Sequence, residues 1–228
     1  MILHQFQISP FCDKIRRILH VKGLSYETRE VPLSQLFTRL RKLNKVGKVP
    51  VLEHNGAMIT DSTDIAHYLE ERFPTPALLP TDRAERGLVH VLEDWADESL
   101  YFYEVFVRFG LAHNAAQWVP TLLEHDPKWF KAIAGTVIGP SLKQTLGAQG
   151  LGKKPVDRVL RDIERHVDAL AGMLGERQWL VGSTLTLADI AVVSQLGCIG
   201  ATPEGAAIIN GSTPVSNWMT RVNSATKP

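Results

Sequence analysis

The 228-residue sequence has no long apolar run, only two cysteines and no excess of either charge. No apolar stretch approaches the roughly 20 residues that a membrane-spanning helix needs. The opening MILHQFQISP has neither a basic start nor a sustained apolar stretch, which argues against a secretory leader. Without an export signal, Cys12 and Cys198 point to a reducing, cytoplasmic setting rather than a disulfide framework. Lys and Arg number 25 against 24 Asp and Glu, so the net charge gives no reason to expect a polyanionic partner such as nucleic acid. The eight histidines fall in no H-x-x-x-H or paired Cys/His spacing, so no metal site is expected. The absence of a Walker loop and of a Rossmann glycine fingerprint excludes a nucleotide held in either way.

What is present changes character about one third of the way along. Up to Phe73 the hydrophobic period alternates between that of strands and that of helices. ILHQF reads as a strand, Pro10 to about Lys22 as a helix, YETREV as a strand, and about Gln35 to Asn44 as a helix. VPVLEHNGAMIT then carries Asn55-Gly56 between two apolar runs, a strong short-range hairpin signal, and another helix follows. The order β-α-β-α-β-β-α places a parallel strand pair ahead of an antiparallel hairpin.

After Phe73 the prolines of PTPALLPTD stop the helix and mark a linker. From Ala84 the pattern is helical almost throughout. Leu88, Val91, Leu92, Trp95, Phe102, Phe106 and Phe109 are expected to form one apolar stripe. Val156, Val159, Leu160, Ile163, Val167, Leu170 and Leu174 are expected to form a second. GPSLKQTLGAQGLGKKP between them reads as an interruption, with Pro155 suited to the first turn of the next helix. The expectation is a small α/β domain over residues 1–74, a linker over 75–83 and an all-helical domain over 84–228.

Local chemistry marks three helix starts. Ser9 before Pro10 is a good N-cap, and a capping hydroxyl that accepts a first-turn N–H bond still has a proton to donate. Asp61 and Ser62 likewise stand where they would cap the helix that follows. In LVGSTLTLADIAV, Thr186 is expected as an N-cap, with Asp189 reaching back and Leu185 and Ile190 forming a hydrophobic staple.

SPFCDKIRRIL, GKVPVL, ITDSTDIAHYLEERFP and LVGSTLTLADIAV together resemble the glutathione transferase superfamily, in particular its members with a serine- or cysteine-type, zeta- or omega-like amino-terminal motif. The resemblance spans essentially the whole chain. It implies a thioredoxin-like first domain, a helical-bundle second domain and glutathione as co-substrate. Ser9 falls where those classes carry a catalytic serine or cysteine, with Pro10 and Phe11 in the same segment. Val49-Pro50 falls where the family has a cis peptide, and Val49 would pair its backbone with the cysteinyl unit. Asp61 and Ser62 fall where an acidic residue and a serine grip the γ-glutamyl end. The buried capping segment at Thr186 has Asp189 in place of the usual Glu.

The expected activity is attack of the glutathione thiolate on a small electrophile. A hydrogen bond to a charged sulfur contributes about 1.5–3 kcal/mol and a helix amino end about 0.3–1 kcal/mol, enough to lower a thiol pKa by about 1–3. Ser9 would then stabilise the nucleophile; no histidine lies near it in sequence to serve as a base. Of the basic segment holding Arg39, Arg41, Lys42, Lys45 and Lys48, Lys48 is the residue chosen to attract the glycyl carboxylate. Tyr101, Tyr103 and Arg108 are the expected pocket residues for the electrophile, with Trp118 and Trp129 as further apolar wall.

Cys12 leaves an alternative open, because S-x-x-C is C-x-x-C without its first thiol. Either Cys12 packs in the core, or it is a catalytic monothiol of a glutathione-dependent reductase. Cys198 is expected in the core. A non-catalytic interaction protein on the same fold is the third possibility. A homodimer is the expected assembly.

Overall fold

The computed structural model of the chain describes residues 1–35, 38, 40, 41, 44, 45 and 47–227, without the Val137 side chain. Strands β1 (Ile2–Gln5), β2 (Glu27–Glu30), β3 (Val51–His54) and β4 (Ala57–Thr60) form one sheet in the order β2-β1-β3-β4. β1 and β2 are parallel, joined by helix α1 (Pro10–Val21), whereas β3 pairs antiparallel with both β1 and β4. Asn55 and Gly56 make the expected turn with φ of 50° and 79°, the left-handed pair that a two-residue hairpin loop demands. The helix expected over 35–44 contains Leu36, Phe37, Arg39, Lys42 and Leu43, which lie outside the described residues.

Helix α2 (Ser62–Arg72) covers the sheet beside α1. Helix α3 (Arg83–Trp95) then runs through a π turn at Ala96–Leu100 into α4 (Tyr101–Val105) and a second π turn at Phe106–Gly110. The helical part continues with α5 (Ala112–Leu122), α6 (Lys128–Gln149), α7 (Val156–Leu174), α8 (Leu187–Gly200), α9 (Pro203–Asn210) and α10 (Thr213–Thr226). This is a small mixed-sheet amino-terminal domain followed by a helical one. Among the described residues no helix is long and apolar enough to cross a membrane.

Two expectations are corrected. Leu88 and Val91 are 52% and 66% exposed, while Val89 and Ala96 are buried. Leu88 and Val91 both stand upstream of the π turns, one position off the buried face that runs through Val89, Leu92 and Ala96, so the apolar stripe is wider than the face that packs. The predicted interruption at 139–155 is also too long. α6 runs through Gly139 and Pro140 to Gln149, and the chain breaks only at Gly150, which adopts φ 99°. Burial of Ile138 and Leu146 on the two sides of Pro140 outweighs the single backbone bond that proline removes.

α1 packs between the sheet and α8, and the sequence of the helix and its C-cap, Lys22, is misleading at three positions. Lys14, Arg17 and Lys22 are almost fully buried. The Lys14 ammonium contacts Glu93 (2.7 Å) and Asp97 of the α3 region. The Arg17 guanidinium bonds Asp13, Asn223 and Thr226. Lys22 Nζ donates to the Phe73 and Pro76 carbonyls and lies 2.7 Å from Glu70. Each buried cation therefore ties α1 to a different part of the chain.

Candidate active site

A cavity of about 470 Å³ opens where the amino end of α1 faces the helix of the two π turns. The β1–α1 loop contributes Ile8, Ser9, Pro10 and Phe11. The approach to β3 contributes Gly47, Lys48, Val49 and Pro50, and the start of α2 contributes Asp61, Ser62 and Thr63. The opposite wall is Asp94, Asp97, Glu98, Tyr101, Phe102, Glu104, Arg108 and Phe109. Ten of the twelve residues expected at the site thus share one cavity: Ser9, Pro10, Phe11, Lys48, Val49, Pro50, Asp61, Ser62, Tyr101 and Arg108. Five carboxylates, Asp61, Asp94, Asp97, Glu98 and Glu104, face two cations, Lys48 and Arg108.

Ser9 caps α1 from extended backbone, its Oγ accepting the Cys12 N–H at 3.4 Å, with Pro10 at the first helical position. That bond is long, so the hydroxyl is loosely engaged by its own helix. The Val49–Pro50 peptide is cis. Asp61 sits at φ 74°, a region few residues with a side chain adopt, and its Oδ1 accepts from Thr63 N–H at 2.9 Å. Such backbone strain, about 1–3 kcal/mol, concentrates at functional positions.

The start of α2 is wired into α3. Ser62 Oγ donates to Asp97 at 3.3 Å and Thr63 Oγ1 to Glu93 at 2.6 Å, while Lys14 bonds both carboxylates. Burial pushes the Asp97 carboxyl up to about 6, against the pull of Lys14. Burial alone would lower the Lys14 ammonium; Asp97 and Glu93 outweigh it and raise it. None of Lys14, Glu93 and Asp97 was singled out in the sequence. Their one signal is a charge on an apolar face, Lys14 beside Ile15 and Ile18, and Glu93 with Asp97 beside Leu92 and Ala96.

Arg108 is 2% exposed. Its Nη1 donates to the Ile8 carbonyl at 3.0 Å and to Glu104, and its guanidinium lies 4.1 Å from the Trp118 ring centre and 5.0 Å from that of Phe109. Burial raises the Glu104 carboxyl in spite of Arg108. Tyr101, packed 5.0 Å from Phe11, has its phenol pushed up to about 12 by burial.

Cys12 and Tyr103 are not in the cavity wall. Cys12 is fully buried, and burial pushes its thiol up to about 11 despite the nearby Ser9 hydroxyl. The side chain following the cap by three residues turns into the α1 core instead of following Ser9 into the opening. Tyr103 projects to the other side of its helix, 5.0 Å from His166, because two residues separate opposite faces of a helix. Trp118 backs Arg108 and Trp129 is 65% exposed, so neither forms the expected wall. Cys198 is partly exposed rather than core, and its thiol, 3.9 Å from the Ile8 carbonyl, is pushed up to about 12 by burial. Among the described residues no cluster of His, Cys, Asp and Glu is arranged to hold a metal.

Residues 3–77 match the family model of the glutathione S-transferase amino-terminal domain, and residues 128–225 that of its carboxy-terminal domain. The chain is 43% identical over 91 residues to glutathione S-transferase 1 of Dianthus caryophyllus, covering 39% of this chain and 41% of that protein. It is 29% identical over 199 residues to protein LigF of Sphingobium sp., covering 83% and 76%. It is 31% identical over 100 residues to a stringent starvation protein A homolog of Histophilus somni, covering 42% and 47%. The crystal structure of the beta-etherase LigF superposes with a TM-score of 0.75 at 24% identity, over 99% of this chain and 96% of that one.

Proposed function

The chain belongs to the glutathione transferase superfamily, and on that premise we propose that its cavity activates the thiol of glutathione, the family's co-substrate, for attack on a small electrophile. One observation carries this reading: Ser9, the Val49–Pro50 segment and the Asp61–Ser62 pair come from three separate stretches of sequence and line one opening. Each offers what one part of the tripeptide needs.

The Ser9 hydroxyl donates a hydrogen bond to the sulfur, and the amino end of α1 adds its positive dipole, so the thiol ionises more readily than in water. The Val49 backbone aligns the cysteinyl unit as an added strand would. Asp61 and Ser62 hold the γ-glutamyl ammonium and carboxylate at the start of α2. Lys48, exposed at the rim, draws in the glycyl carboxylate. The thiolate then forms a carbon–sulfur bond as the leaving group departs with its electron pair. Ether cleavage by the same displacement is a narrower reading, favoured by the likeness to the beta-etherase LigF.

Burial of Cys12 argues against the monothiol reductase. Exposed Met58 on β4 and Leu88 and Val91 on α3 suit contact with a second copy, and sedimentation will report it. We further propose a cytoplasmic protein with units at residues 1–74 and 84–228 about a 75–83 linker; limited proteolysis will find cleavage in that linker. Calorimetry is the test of the main reading. Glutathione binding, together with a bound thiol that ionises below its free value, supports it; no heat at millimolar glutathione favours the non-catalytic interaction protein.

A further inference from the structure

The stretch between β2 and β3 supplies part of the cavity wall through Asn44, Gly47, Lys48, Val49 and Pro50. Its beginning is held by the helical domain. Asp126, in the turn between α5 and α6, is only 6% exposed and directs both carboxylate oxygens at the first domain. Oδ2 accepts from the Leu33 N–H at 2.9 Å and Oδ1 from the Ser34 N–H at 2.7 Å. A carboxylate acceptor makes these charge-assisted bonds, about twice as strong as those between neutral groups. The Leu33 side chain packs at the same place, against Leu123, Ala134 and Ile138, and two other members of that cluster, Leu122 and Leu142, line the cavity. Further along the stretch, Leu40 is buried with Val31 and Val51, and Asn44 Nδ2 donates to the Lys48 carbonyl at 3.0 Å, bracing the residue before Val49.

We infer that Asp126 is a positioning residue for glutathione, holding the stretch that carries Lys48 against the helical domain so that the glycyl end of the tripeptide meets a fixed partner. The inference rests on the glutathione-binding reading above. Asp126 does not line the cavity, so its effect passes through Leu33 and Ser34. A site whose wall is drawn from two domains binds well only if they are already held together, because ordering them on binding costs affinity. Ser9 and the Asp61–Ser62 pair stand on other elements, at the starts of α1 and α2. Activation of the sulfur and the grip on the γ-glutamyl end therefore lie outside the reach of Asp126.

The test compares glutathione with γ-glutamylcysteine, which lacks the glycyl carboxylate. Asp126→Ala should weaken glutathione binding in calorimetry, and raise its KM, by about tenfold, the worth of one such bond. Affinity for γ-glutamylcysteine and kcat at saturating glutathione should each change less than twofold. Equal loss with both peptides, loss with neither, or a fall in kcat at unchanged KM would overturn the inference by making Asp126 a support of the fold alone. A second measurement needs no variant. Coupling is reciprocal, so saturating glutathione should slow hydrogen exchange at the Leu33 and Ser34 amides of the wild-type protein by about the same tenfold. Unchanged exchange would overturn the inference even if Asp126→Ala does not fold. Absence of binding of either peptide to the wild-type protein would sink the parent reading, and this one with it, before any variant is made.

Discussion

The amino ends of α1 and α8 start from the same local chemistry and arrive at opposite uses. Each begins with a hydroxyl in extended backbone, Ser9 in one and Thr186 in the other. At α8 a capping box closes the end. Asp189 accepts from the N–H groups of Leu180 and Thr186, both at 2.9 Å, and from Trp218 Nε1 and Thr186 Oγ1, both at 2.8 Å, with nothing left exposed. At α1 the cap is a single 3.4 Å bond, no carboxylate reaches back, and the end faces the cavity. A hydroxyl cap becomes a folding device where tertiary structure covers it and a ligand site where tertiary structure leaves it open. The start of α2 lies between them, its Ser62 and Thr63 tied to Asp97 and Glu93 but still lining the cavity.

The sharpest way to break this contrast is to open the closed end. Asp189→Ala strands several buried donors and should reduce stability by about 3–5 kcal/mol in urea denaturation, with unchanged glutathione affinity in the protein that remains folded. The intermediate end should respond to pH. The Asp97 carboxyl, raised from 3.8 to about 6 in the folded chain, binds its proton more tightly there than when unfolded. Its contribution is therefore full below about pH 4 and declines through about pH 6, by about 3 kcal/mol in all. Asp97→Asn cannot titrate, so the stability of wild type relative to the variant should fall across that window; a flat difference would show that Asp97 titrates normally. At the open end, Ser9→Ala should reduce stability by only about 1 kcal/mol, yet slow conjugation about 10- to 100-fold at neutral pH and raise the pKa of bound thiol, read by ultraviolet titration. The smallest effect belongs one turn further in. Cys12→Ala should lose about 1 kcal/mol and leave turnover within about twofold.

How much could be read in advance follows the range of the interactions. Asn55-Gly56 announces its hairpin and Thr186 with Asp189 its box because the partners lie within a few residues of each other. Ser9, Val49 and Asp61 stand out through local motifs. The rest depends on distance along the chain. Lys14 looks like a solvent-facing lysine until Asp97, 83 residues away, arrives beside it. Arg108 is legible as a pocket residue, but its hold on the Ile8 carbonyl, 100 residues away, and its seat on Trp118 are not. The π turns leave no mark in hydrophobic spacing, which presumes a constant helical pitch, and at Pro140 packing on either side overrides a backbone rule.

The three buried cations of α1 have a consequence for synthesis. Arg17 finishes its bonding on Asn223 and Thr226 of α10, more than 200 residues downstream. As the chain leaves the ribosome amino end first, α1 has its sequence early but not its mates, and the guanidinium must wait in water until α10 emerges. The pocket's first wall is thus among the earliest segments translated and among the last to be locked in place.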